Sequence, residues 1–109
     1  MNYLTTLQIQ QYGGSKRLNI DAVSDQVLHL LEQDHLHAGV YEELRDAILS
    51  GEAALSLSSA HVCFLVERVA TLLPNFEFGA RGLGEEFRDT WVREFANGSI
   101  VFKQGPWAC

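Results

Sequence analysis

Asp34, His35 and His37 stand within four residues of one another. Alternate positions in an extended loop would turn two imidazoles and a carboxylate toward one ion, and zinc accepts that donor set. No further strong ligand follows at a recognised spacing, and His29 and His61 could join only through the tertiary fold. The expectation is therefore solvated loop histidines and no resident metal. A small enzyme or metal-binding protein using His35 and His37 stays as one alternative.

Nucleophiles fare no better. His61 lies two residues before Cys63, and positions i and i+2 do not face each other on a helix. A reactive thiol also needs a partly exposed, electropositive setting, whereas Cys63 sits in the apolar run Val62 to Val66. Cys63 reads as a packed thiol and Cys109, the last residue, as an exposed one, both reduced in a cytoplasm. Glu42-Glu43 and Glu85-Glu86 are adjacent in sequence but diverge on a helix, while paired-carboxylate chemistry needs convergence across a cleft. Gly13-Gly14-Ser15-Lys16 lacks the spacing of a phosphate-binding loop and reads as a turn. No catalytic, cofactor-binding or metal-binding residue is expected.

The elements that would carry these residues follow from periodicity. Leu7 and Ile9 alternate with Gln8 and Gln10, the period of a half-buried strand over 3–12. Leu18 and Ile20 resume the alternation after Gly13 to Arg17, so an N-terminal β-hairpin is expected. Asp21 or Ser24 can cap a helix whose apolar face is Val23, Val27, Leu30 and Leu31, ending near Gln33. A second helix over 40–50 buries Tyr41, Leu44 and Ile48 and ends at Gly51, the two helices forming an antiparallel hairpin. Residues 53–57 suit a short strand. Ser58 or Ser59 opens a helix over 60–73 that is apolar almost all round, with Pro74 as its stop; a strand over 62–66 is the rival reading. Phe76 to Phe78 alternates as a strand, and Gly79, Gly82 and Gly84 suggest a loop. Leu83, Phe87, Trp91 and Phe95 recur every fourth residue and predict a last helix over 83–96, with Asp89 and Arg93 as an i,i+4 pair. Asn97-Gly98 closes it, and 99–103 forms a final strand.

This order predicts an α+β fold: a small antiparallel sheet with an N-terminal β-hairpin packed against three to four helices, one of them central and apolar. A chain of 109 residues suits one domain, taken as 1–104, with 105–109 as a loose tail. Its longest apolar run is five residues, too short to cross a bilayer.

Charge is unevenly placed. The net charge is −6, and residues 21–52 hold eight acids against Arg45 alone, which gives −7 for that stretch. On a wheel of about 100° per residue, Glu42, Glu43 and Asp46 fall opposite Tyr41, Leu44 and Ile48. Such a face repels nucleic acid and favours a basic partner; it also serves solubility. The expected partner-binding residues are Asp25, Glu32, Asp34, Glu42, Glu43 and Asp46. The expectation is a small cytoplasmic, non-catalytic protein-binding domain, monomer or homodimer, that contacts neither nucleic acid nor membrane. It would occlude a basic, nucleic-acid-handling surface, as anti-defence proteins of the anti-CRISPR type and toxin-immunity proteins do. The other alternative is an oligomeric or adaptor module assembling through an exposed edge strand, Leu4 to Tyr12 or Ser99 to Lys103.

Overall fold

In the strand β1 (Thr5–Tyr12), Thr5 and Leu7 are buried while Gln8, Gln10 and Tyr12 face outward. The computed structural model describes residues 4–12, 18–86 and 88–105. After β1 come a 3-10 turn (Asp21–Val23), α1 (Ser24–Gln33), α2 (Val40–Ser50), β2 (Glu52–Leu55), α3 (Ser59–Ala70), β3 (Glu77–Leu83), β4 (Thr90–Ala96) and β5 (Ser99–Gln104). The strands form one antiparallel sheet in the order β2-β1-β3-β4-β5. The α+β class, the antiparallel sheet and three helices agree with the sequence reading.

Register sorts the side chains into two faces. Leu7, Gly82 and Trp91 form one cross-strand row, and Phe78 and Phe95 pair in another, their ring centroids 5.0 Å apart. These residues meet Val27, Leu31, Val40, Leu44, Ala47 and the buried side of α3 in one core. The helices pack on this face.

Residues 62–66 are helical, and α3 is the central apolar helix: Val62, Cys63, Leu65, Val66, Val69 and Ala70 are all buried. Ser58 caps it by accepting a hydrogen bond from the His61 N–H. α2 ends at Gly51, whose φ of 91° supplies the expected left-handed cap. Its buried stripe is Val40, Leu44 and Ala47, with Tyr41 and Ile48 half-buried together along one flank. Neither Asp21 nor Ser24 caps α1 with its side chain.

The expected helix over 83–96 is a strand. Trp91, Arg93 and Phe95 are buried while their neighbours are half-exposed. A spacing of four residues fits both a helical turn and two strand repeats. Arg93 decides between them, since a helix would turn it away from Trp91 and Phe95 and a strand puts all three on one side. Asn97 (φ 55°) and Gly98 (φ 76°) form the two-residue turn of the β4–β5 hairpin rather than a helix end. Gly79 and Gly82, expected in a loop, lie within β3. Gly82 is required there, because a Cβ would stand 2.2 Å from the Trp91 ring.

The N-terminal arm differs in detail from the hairpin reading. β3 pairs with β1 from Thr6 to Tyr12 and β2 pairs with it only from Thr5 to Gln8, and Leu18 to Ile20 join no ladder. Those residues lie outside the strands, yet Leu18 and Ile20 are buried, and the Leu18 N–H donates to Gln11 Oε1 at 2.7 Å. The expected turn over 13–17, Phe87 and the tail residues 106–109 lie outside the described residues.

Candidate functional site

The acids of α1 and α2 divide into two groups. Asp21, in the 3-10 turn before α1, accepts from the Tyr41 hydroxyl at 2.8 Å and from Arg45 Nε and Nη2 at 3.0 and 3.2 Å. The Arg45 guanidinium, and then the Tyr41 hydroxyl, hold its carboxyl below the usual range. Burial, followed by the bond to Asp21, pushes the Tyr41 phenol up. Asp34 caps the end of α1 and pairs with Arg68 of α3, and Gln33 Oε1 joins it by accepting from Arg68 Nη2. Glu43 accepts from the Ser56 N–H and hydroxyl at 3.3 and 3.0 Å, which fixes the β2–α3 connection to α2. Asp34 and Glu43, both expected to bind a partner, thus have structural work.

Asp25, Glu32, Glu42 and Asp46 form the second group. All four are exposed. Among the described residues their carboxylates have no hydrogen-bond or ion-pair partner. Glu42 and Asp46 are spaced i,i+4, as are Asp25 and His29, with Glu32 one turn further along α1. A like-charge i,i+4 pair costs a helix about 0.2–0.5 kcal/mol. Arg45, the one base between residues 21 and 52, is tied to Asp21. The negative potential of these two contacting helices is therefore not cancelled from within the segment.

The histidines do not assemble a metal centre. His35 is exposed and adopts φ 57°, where it closes α1, and His37 Nδ1 accepts from the Gly39 N–H at 2.9 Å. Both line a cleft of about 590 Å³ with Glu43 and Ser56, but Glu43 is engaged by Ser56. His29 is exposed on α1, and His61 Nδ1 lies 2.9 Å from Ser58 Oγ. Among the described residues, no group of three His, Cys, Asp or Glu side chains could hold a metal ion.

Cys63 is fully buried, as expected, but its surroundings are not purely apolar. Its thiol lies 3.9 Å from Glu67 Oε2, and the same oxygen accepts from Arg93 Nε at 2.8 Å. Arg93 Nη1 also donates to the Val92 and Gln104 carbonyls at 2.9 and 2.8 Å, and the guanidinium lies 5.9 Å from the Trp91 ring centroid. Arg93 is 1% exposed and Glu67 13%. The expected Asp89–Arg93 pair was drawn on a helix that does not form, and the real partner comes from α3.

One feature escaped the sequence reading, and of the two expected edge strands only the one over 99–103 lies at an edge, β1 being internal to the sheet. The face of the sheet away from the helices carries Gln8, Gln10, Tyr12, Arg81 and Val92 beside a groove of about 580 Å³. The outer strand β5 is exposed along its whole length, with Ile100, Val101 and Phe102 in contact with solvent. The alternation of Gln8, Gln10 and Tyr12 was visible; their juxtaposition with Arg81 depends on pairing between distant segments.

No family model matches the chain, and neither a curated protein nor a solved structure matches it. No helix among the described residues is long and apolar enough to cross a membrane.

Proposed function

We propose that the chain is a small, non-catalytic, cytoplasmic protein-binding domain that covers a basic, nucleic-acid-handling surface of a partner. The observation that carries this reading is the set Asp25, Glu32, Glu42 and Asp46 on α1 and α2, none of them in a hydrogen bond or ion pair among the described residues, with Arg45 bonded to Asp21. A surface of one sign draws an oppositely charged partner and repels nucleic acid. Occluding such a groove is the strategy of inhibitors and antidotes, with anti-CRISPR-type and toxin-immunity proteins as its best-suited settings. Asp34 and Glu43 take a supporting part, because they hold the helices in place.

The test uses a variant in which Asp25, Glu32, Glu42 and Asp46 all become Lys. Partners captured from a host lysate by the wild-type chain are identified and challenged with duplex DNA and with RNA. The reading expects a partner with a basic surface, released by nucleic acid and not retained by the variant. A partner held equally by the variant, or unaffected by nucleic acid, would falsify it.

A second reading has one observation in its favour. The exposed apolar residues of β5 suit pairing with another copy's edge. The irregular register at Glu94/Phe95 and Lys103 both blunt that edge, as bulges and lysines do in other sheets. Light scattering separates the readings: a stable dimer abolished by Val101→Lys favours assembly, and a monomer favours the acidic face.

A further inference from the structure

On the uncovered face of the sheet, strand pairing sets Glu52, Gln8, Arg81 and Val92 in one cross-strand row. Gln10, Gly79 and Glu94 form the next row. Gly79 leaves a gap, and Tyr12 leans over it: the tyrosine hydroxyl lies 2.7 Å from where a Cβ at Gly79 would stand. The groove around this gap has a volume of about 580 Å³, within the range of sites that take small molecules.

Arg81 is held from one side only. Its Nε donates to Gln8 Oε1 at 2.6 Å, and Gln8 Nε2 donates in turn to Glu52 Oε1 at 2.6 Å. This chain of contacts restrains the guanidinium, while among the described residues its two terminal nitrogens have no acceptor. A planar pair of N–H donors matches the two oxygens of a carboxylate. Glu52 lines the groove and Glu94 is the cross-strand neighbour of Gly79, so a singly charged anion meets less repulsion there than a phosphate dianion. The Tyr12 ring provides an apolar wall beside the anion position.

We propose that this groove binds a monoanionic carboxylate borne on a flat apolar body, with aromatic carboxylic acids as the ligand class. Arg81 grips the carboxylate, Gln8 and Glu52 orient Arg81, and Tyr12 packs against the body of the ligand. The groove touches α2 only at Ser50 and its cap Gly51 and uses none of Asp25, Glu32, Glu42 and Asp46, so neither proposal depends on the other.

The experiment is a titration of isotope-labelled protein, followed by amide NMR, with sodium benzoate as the probe. Benzamide serves as the neutral isostere and phenyl phosphate as the dianion. The expected result is saturable shifts confined to Gln8, Gln10, Tyr12, Gly79 and Arg81, with a dissociation constant on the order of 1 mM. Arg81→Gln should weaken benzoate about tenfold or more, and Arg81→Lys, which keeps the charge but not the fork, should lie between the two. Arg81 is exposed, so the rest of each variant's spectrum should stay in place and report an intact fold. Absence of saturation, equal binding of benzamide, tighter binding of phenyl phosphate, or unchanged binding by Arg81→Gln would each overturn the proposal.

Discussion

β4 turns Trp91, Arg93 and Phe95 toward the helices and Val92, Glu94 and Ala96 toward the open side, and these two sets of neighbours obey different constraints. On the covered side an unmatched polar group is costly, and among the described residues Trp91 Nε1 is the one buried side-chain polar atom without a hydrogen-bond partner. Arg93 reaches a carboxylate and two carbonyls, and Gly82 makes way for the Trp91 ring. On the open side water supplies whatever the protein does not, so Gln10 and the terminal nitrogens of Arg81 need no internal partner. The comparison teaches that the covered face specifies the fold and tolerates little, while the open face and the outer sides of α1 and α2 are free to carry binding chemistry.

The largest expected effect breaks the covered side. Glu67→Leu leaves the Arg93 guanidinium buried without its carboxylate, which should cost about 3–5 kcal/mol. Urea unfolding should show the midpoint falling with little change in slope. That loss is a large fraction of the stability of a small domain.

Gly82→Ala comes next. Its Cβ would meet the Trp91 ring at 2.2 Å, and a buried ring cannot swing aside as a surface side chain can. The expected loss is about 1–3 kcal/mol, read by the same unfolding together with a change in tryptophan fluorescence. Gly79→Ala is the matched substitution on the open side, where the Cβ meets the mobile end of Tyr12. It should cost clearly less than Gly82→Ala, and equal losses would erase the distinction between the faces. Val92→Thr, also on the open side, should stay within about 0.5 kcal/mol of wild type.

The Asp21 cluster predicts a pH dependence. Arg45 and Tyr41 lower the folded-state pKa of Asp21. Its contribution is therefore fully present above the unfolded-state carboxyl pKa and is lost as pH falls through the lowered folded value. The difference in urea midpoint between wild type and Asp21→Asn should be widest near neutral pH and should shrink in acid. A difference that does not change on acidification would remove Asp21 from the account.

The same contrast explains how far the amino-acid sequence could be read. α2, its Gly51 cap and the apolar α3 rest on local signals, namely helical period, cap chemistry and a proline stop, and local signals suffice for helices. β4 was misread because Trp91 and Phe95 are compatible with either period, and the burial of Arg93 depends on Glu67, 26 residues away. Asn97-Gly98, followed by Ile100, Val101 and Phe102, held the clue to a hairpin. Leu18 and Ile20 alternate like a strand and are buried like one, but the Leu18 N–H bonds the Gln11 side chain instead of a backbone ladder. The acids could be counted from the sequence. Which of them are engaged could not, since Asp34 answers to Arg68 and Glu43 to Ser56 across tertiary contacts.

The most direct test of the central claim sets two double variants of equal charge change side by side. Glu42→Lys with Asp46→Lys alters the outer side of α2, and Glu77→Lys with Glu94→Lys alters the open face of the sheet. Each is measured for affinity toward the captured partner and for urea stability. The account predicts that the α2 variant loses the partner while staying folded, and that the sheet variant keeps it. Equal loss in both would make net charge rather than the helical face responsible, and loss only in the sheet variant would contradict the assignment outright.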